Sequence, residues 1–415
     1  VSFLLLARPW RWALLGLLAV VSAAWAAWRR SRPRLESPAL ALALGLLAAA
    51  FASAAWSVDP WLTLGRGVAF AAVLVSGIAL ALACAGRPRV VARLLHALLA
   101  GALVVAALSA LLYVSFPDRA VQHADTQSPA RYMGLGGNPN TLSMLCAIAL
   151  PLALWALRAA RTPAGRAGAA AAGILLDGSI AASGSRGAMI AATVGLACVA
   201  LALPWERRRR LALVGGVLAL FAVNVAVSQI PQPERARPRP PQPQRVAPES
   251  RNAESTLALA DELGGSPRPY RRKLFGTSGR AEAWRGAVGQ AADRPLAGYG
   301  FGTEERVFVD RYRNFLSALP ENSYLGVLLQ LGVAGLALVV ALLTAVLVTA
   351  ARAIRMTRDP CAAACVAVLL AGVTLALTQS YLTSAGNIAC LTLWTAAFLG
   401  TSLAPRARPR RAQTA

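Results

Sequence analysis

Charged residues are scarce in this chain. They make up 14% of 415 residues against 57% hydrophobic, and the mean hydropathy is +0.53. That scarcity excludes a soluble globular domain and makes the bilayer the solvent. Lysine is nearly missing, Lys273 being a lone exception among 42 Lys and Arg; the bias carries no chemistry by itself. Acids are few as well, 18 in all, leaving a formal charge of +24. Such an excess raises the question of nucleic acid, but the arginines cluster between apolar runs, where they act as topology signals, and nucleic-acid binding is not expected. The cysteines Cys84, Cys146, Cys198, Cys361, Cys365 and Cys390 lie inside or at the ends of apolar runs, without the spacing of a metal knuckle or redox pair. They read as small packing residues, and neither disulfides nor a bound metal or other cofactor is expected. The internal repeat that marks many transporters is missing too.

What is present is a succession of about eleven apolar stretches, each near the roughly 20 residues a spanning helix needs. They run Trp12 to Trp28, Pro38 to Trp56, Gly67 to Ala85, Leu94 to Phe116, Asn140 to Leu157, Gly168 to Ser183, Ala188 to Pro204, Leu211 to Gln229, Tyr324 to Ala350, Cys361 to Gln379 and Ile388 to Leu403. Alternate connectors are strongly basic (Arg29 to Arg34, Arg87 to Arg93, Arg158 to Arg166, Arg207 to Arg210, Arg352 to Arg358 and Arg406 to Arg411) and are expected in the cytoplasm. The external connectors are then Ser57 to Arg66, Pro117 to Pro139, Gly184 to Gly187, Ile230 to Ser323 and Ser380 to Asn387. Eleven spans with the tail inside put Val1 outside, against the preference of Arg8 and Arg11; a preceding span would reverse this. The expected fold is an all-α polytopic membrane protein of about 11–12 transmembrane helices, with one large external loop before the antepenultimate helix. Its divisions are a helical bundle at 1–229, the loop at 230–323, the last helices at 324–403 and a basic tail at 404–415. Within the loop, 230–254 is a Pro/Arg/Gln-rich linker and 255–323 a folded part, helical around Ser255 to Leu263 and over Ser278 to Ala292 with Ser278 as cap.

Three external motifs carry chemistry. Ser185-Arg186-Gly187 closes a tight turn between two spans and places Arg186 at the outer interface, where burial costs about 2.5–3.5 kcal/mol on insertion scales; either an anionic partner or snorkelling to headgroups accounts for it. A pyrophosphate matches the planar fork of a guanidinium. In Gly279-Arg280-Ala281-Glu282-Ala283-Trp284-Arg285, Arg280 and Trp284 share a helix face, and Arg294-Pro295-Leu296-Ala297-Gly298-Tyr299-Gly300-Phe301-Gly302 follows with glycines suited to close backbone approach. Pro320-Glu321-Asn322-Ser323-Tyr324-Leu325 opens the span bearing Gly332 and Gly335; Glu321 suits either the dipole of a helix start or a general base for a sugar hydroxyl.

In order and spacing, these motifs together with Ser57-Val58-Asp59-Pro60, Arg131-Tyr132-Met133-Gly134 and Gly137-Asn138-Pro139-Asn140 resemble the O-antigen ligase and polymerase family over Ser57 to about Gly335. The resemblance implies inverting, metal-independent transfer of a glycan from undecaprenyl pyrophosphate to a sugar hydroxyl on a lipid- or glycan-linked acceptor, at the periplasmic face of a bacterial inner membrane and among membrane lipids. It places the pyrophosphate clamps on Arg186 and Arg280 and the base on Glu321. The substrate-binding positions expected beside them are Arg131, Asn138, Asn140, Ser185, Trp284, Arg285, Arg294, Asn322 and Tyr324. Ligases of the family usually carry His where this chain has Glu321, so a polymerase, or a ligase for another acceptor, is equally compatible. His123, in the same external set, is either a substitute for that His or simply a solvated loop residue, whereas His96 reads as a packing residue. Asp177, midway along a span, is either functional or hydrogen-bonded to a neighbouring helix, and Asn138 and Asn140 suit capping as well as ligand binding. A transporter or flippase for a lipid-linked sugar is the rival reading, disfavoured by spans nearly free of other charges; a non-catalytic scaffold would keep the same fold.

Overall fold

The computed structural model describes residues 2–29, 38–122, 130–230, 280–308 and 319–404. His123, the linker after Ile230, the Ser255 to Leu263 helix, Ser278 and the basic tail after Ala404 lie outside these residues. Within them the chain is helical: α1 (Ser2–Trp28), α2 (Pro38–Ala52), α3 (Pro60–Cys84), α4 (Pro88–Ser115), α5 (Pro117–Ala120), α6 (Pro139–Ala159), α7 (Pro163–Ser183), α8 (Arg186–Ala202), α9 (Arg207–Val227), α10 (Arg280–Ala291), α11 (Glu304–Phe308), α12 (Ser323–Thr357), α13 (Pro360–Ala376) and α14 (Ile388–Ser402). A two-residue antiparallel pair joins β1 (Val121–Gln122) to β2 (Arg131–Tyr132), with Val121 opposite Tyr132. Each of the eleven apolar stretches read from the sequence falls on one of these helices. By length and composition α2 (with its 3-10 extension), α3, α4, α6, α9 and α12 can cross a membrane, and α1, α8, α13 and α14 contain shorter apolar segments. This is an all-α, multi-pass membrane protein.

Helix starts follow from local chemistry. Asp59-Pro60, Asn138-Pro139, Thr162-Pro163 and Asp359-Pro360 each pair a side chain that accepts a first-turn N–H with a proline whose missing N–H costs nothing there. Between the helices, small residues allow close approach, as membrane packing requires where burial of apolar surface offers little gain over lipid. A side chain at Gly195 would collide with Pro151 of α6 and press on Ala371 of α13. The core is therefore centred on α6, α8, α13 and α14, with Trp155 and Trp394 fully enclosed. Asp177 accepts a hydrogen bond from Asn224 Nδ2 at 2.8 Å, so of its two readings the structure shows the link to a neighbouring helix, α9.

The 35-residue α12 is broken at Gly332, where φ is 63° and ψ is −164°. A helix interrupted inside a membrane must find new partners for the backbone groups it releases. Here the loop supplies them: Tyr299 N–H donates to Leu329 O at 2.9 Å, Gly300 N–H to Gln330 O at 2.9 Å, and Val333 N–H to Pro295 O at 2.8 Å. Any side chain at Gly332 would strike the Leu296 carbonyl. Residues 295–302 are thus threaded against the kink and carry α10 and α11 with them, and Ala283, Ala287, Ala291 and Phe308 pack on Leu329.

Candidate active site

One end of the bundle gathers the external motifs. Gly184 (φ 61°) turns α7 into α8, Ser185 is buried at the start of α8, and Gly187 lies so close to Thr378 that a Cβ would strike its hydroxyl. Residues 379–382 also receive the start of α12. Ser323 Oγ donates to Gln379 O at 2.6 Å and accepts from Tyr381 N–H at 2.8 Å, while Asn322 N–H donates to Ser380 Oγ at 3.2 Å. The connector between α13 and α14 is therefore the anvil on which the arginine turn and the Glu321 turn both rest.

Glu321 itself is held at φ 52°, a conformation costly for a side chain with a Cβ, and is one of two such non-glycine residues among those described. It is kept there from both sides. Asn322 caps α12 by accepting from Tyr324 N–H at 2.9 Å and Leu325 N–H at 3.2 Å, and Trp284 Nε1 of α10 donates to Pro320 O at 2.9 Å. One helical turn from Trp284, the Arg280 guanidinium comes 3.7 Å from Glu321 Oε2, with the two side chains 23% and 14% exposed. Burial draws the Arg280 pKa down, the Glu321 carboxylate pulls it back up, and the nearby charge of Arg186 lowers it again. Arg186, Arg280 and Glu321 are thus within one electrostatic neighbourhood, although they come from three segments distant in sequence.

The other expected site residues divide. Arg131 donates through Nε to Ser183 O at 2.7 Å and through Nη2 to Asn140 Oδ1 at 2.9 Å, tying β2 and α6 to the end of α7 just before the arginine turn. Asn138 is exposed and caps α6, accepting from Asn140 N–H at 2.8 Å. Tyr324 donates its hydroxyl to Val373 O at 3.1 Å. Arg285 and Arg294 are not brought to Glu321: Arg285 is on the exposed side of α10, and the exposed Arg294 lies 4.9 Å over the Tyr299 ring and donates to Trp56 O at 3.4 Å. The reason is helical phase for the first, five residues from Arg280, and the docking of the glycine segment on the α2–α3 connector for the second. That docking also explains Ser57-Val58-Asp59-Pro60: Val58 N–H donates to Tyr299 O at 3.1 Å, and Gly300 (φ 109°) abuts Ser57 with no room for a Cβ.

Sequence reasoning passed over one acid. Glu304 of α11 is 7% exposed, and its carboxylate fills the space left by the missing side chain of Gly326. Burial pushes its pKa up to about 7, against the lowering pull of a hydrogen bond from Gln330 and of Arg66; Glu305 and Glu321 push it further up. Glu304 lines a cavity of about 520 Å³ together with the polar side chains of Arg66, Thr141, Gln330, Thr383 and Ser384 and the apolar ones of Ala69, Val105 and Leu145. The signal available beforehand was only a carboxylate two residues after a glycine-rich run. Among the described residues no three His, Cys, Asp or Glu side chains cluster in a metal-binding arrangement.

No curated protein matches the chain. Residues 170–340 match the O-antigen ligase family (Wzy_C), a span that runs from α7 past the kink of α12 and so contains Arg186, Arg280 and Glu321. Over these residues the match bears out the family resemblance read from the motifs.

Proposed function

We propose that this protein transfers a glycan from undecaprenyl pyrophosphate to a sugar hydroxyl at the periplasmic face of the inner membrane, with inversion and without a metal. The match of residues 170–340 to the O-antigen ligase family supports glycan transfer from lipid-linked substrates in general. The finer reading rests on one observation, the strained and largely buried Glu321 facing Arg280 at 3.7 Å with Arg186 in the same field. Glu321 takes the proton of the acceptor hydroxyl as its oxygen attacks the anomeric carbon. The bond from that carbon to the pyrophosphate oxygen breaks, and the leaving pyrophosphate keeps the electron pair. Arg186 and Arg280 hold its charge, the service a cation would otherwise perform. The cavity beside Glu304, lined by both polar and apolar side chains, suits an acceptor sugar presented from the membrane surface. Trp284, Asn322 and Arg131 act as positioning residues for these three groups, while Asn138 serves the fold.

The test is turnover of lipid-linked glycan by purified protein in proteoliposomes. Glu321→Gln keeps shape and removes the base, and a loss of roughly 10²–10⁴-fold is expected with the unfolding midpoint little changed. Wild-type turnover by that variant would overturn the assignment.

A further inference from the structure

The opposite end of the bundle presents two adjoining cavities. One, of about 480 Å³, is lined by Trp155, Arg158, Arg161, Arg166, Pro204 and Pro360. The other, also about 480 Å³, is an almost wholly apolar crevice between α6, α8 and α9, lined among others by Leu154, Leu196, Trp205, Leu213, Gly216 and Leu220. They meet at consecutive residues, Pro204 in the first and Trp205 in the second, and the Arg158 guanidinium lies 5.4 Å from the Trp205 ring centroid across that boundary. Among the described residues, Arg158, Arg161 and Arg166 have no carboxylate within 4.0 Å. The nearby acids are engaged elsewhere, Glu206 with Arg209 at 3.5 Å and Asp359 with the Cys361 N–H at 2.8 Å. The Trp155 indole N–H, buried beside the basic cavity, has no acceptor among the described residues.

Unpaired guanidiniums next to a chain-sized apolar slot define an anionic amphiphile. We propose that this end binds an anionic phospholipid of the leaflet facing the basic connectors, its phosphodiester against Arg158, Arg161 and Arg166 and one acyl chain in the crevice beside α9. The positive-inside rule alone accounts for the arginines but not for an apolar crevice beside them. The lipid also explains how α9 is held: among its residues only Val217 and Asn224 are buried by protein, so much of its packing surface is left for lipid. The site is at the far end from Glu321 and does not depend on the catalytic reading.

The experiment uses the full chain in nanodiscs of phosphatidylcholine with graded phosphatidylglycerol, reading retained lipid by native mass spectrometry and the unfolding midpoint. Wild type is expected to retain phosphatidylglycerol over phosphatidylcholine and to gain stability from it. Arg158→Gln/Arg161→Gln/Arg166→Gln should weaken retention on the order of a hundredfold. Gly216→Phe, at a position where a Cβ meets nothing within 4 Å, should fill the crevice and weaken retention with the arginines intact. Equal retention of the two lipids by wild type, which needs no variant, would overturn the site. So would stabilisation by inorganic phosphate equal to that by phosphatidylglycerol, which would make it a free-anion site, or undiminished retention by both variants.

Discussion

The two ends of the bundle use arginine in opposite ways. At the Glu321 end, guanidiniums meet carboxylates from remote segments: Arg280 with Glu321 at 3.7 Å, Arg66 with Glu305 at 3.1 Å and Arg306 with Asp59 at 3.5 Å. At the other end, Arg158, Arg161 and Arg166 surround a cavity without acidic partners among the described residues. Both sets sit at helix boundaries beside apolar surface, so position relative to the bilayer does not separate them. The presence of a fixed carboxylate does. A paired, partly buried guanidinium has a set direction and can hold a leaving group, whereas an unpaired one takes its counter-charge from what surrounds the protein.

This contrast can be broken most severely within one helix. Arg280→Gln is expected to lower transfer by about 10²-fold or more, the loss of one preorganised charge at the leaving group, whereas Arg285→Gln, five residues on and exposed, should leave turnover unchanged. Initial rates of lipid-linked glycan consumption distinguish them, and equal losses would dissolve the distinction between paired and free arginines. Gly332→Ala attacks the scaffold that brings α10 to Glu321. With φ at 63° and the Leu296 carbonyl in the way, it should destabilise by about 2–3 kcal/mol, seen as a lower unfolding midpoint, and reduce activity with it.

Glu304 sharpens the comparison through pH. Its folded pKa of about 7 lies above the ordinary 4.5, so the folded state binds the proton more tightly. The resulting stabilisation is fully present below about pH 4.5 and is lost as pH rises through 7, at most on the order of 3 kcal/mol. Unfolding midpoints measured between pH 5 and 8 should fall more steeply with pH in wild type than in Glu304→Gln; identical slopes would place this carboxyl outside the dry part of the site. The smallest effect is expected from Asn322→Ala, which removes the α12 cap and should cost about 1 kcal/mol of stability, with a larger proportional effect on transfer if the cap holds Glu321 in its strained turn.

Much of this was legible beforehand because bilayer physics writes itself in one dimension. A run of apolar residues closed by an arginine cluster has few options, so all eleven stretches correspond to helices, and Asp59-Pro60 or Asn138-Pro139 mark helix starts from local hydrogen bonding alone. The motifs at Arg186, Arg280 and Glu321 were recognisable for the same reason, as polar groups with no business at an apolar boundary. Arg285 and Arg294 were expected from the sequence to bind substrate beside the Arg280 clamp, and only helical phase and the docking of 295–302 set them apart from it. Glu304 gave little sign beyond its place after a glycine-rich run, since its environment is made by Gly326, Gln330 and Arg66 from other segments.

Composition and spacing by themselves determined that the chain spans a membrane as helices, which ends carry the basic connectors, and which residues could bear chemistry, because each follows from solvent and from neighbours within a few positions. Only the tertiary structure decided that three of those residues share one field, that the break at Gly332 is closed by the loop's own backbone, and that a carboxylate passed over in the sequence lies buried beside them. Those outcomes depend on contacts between segments well beyond the reach of a helical turn in sequence, and local patterns do not encode distance in space.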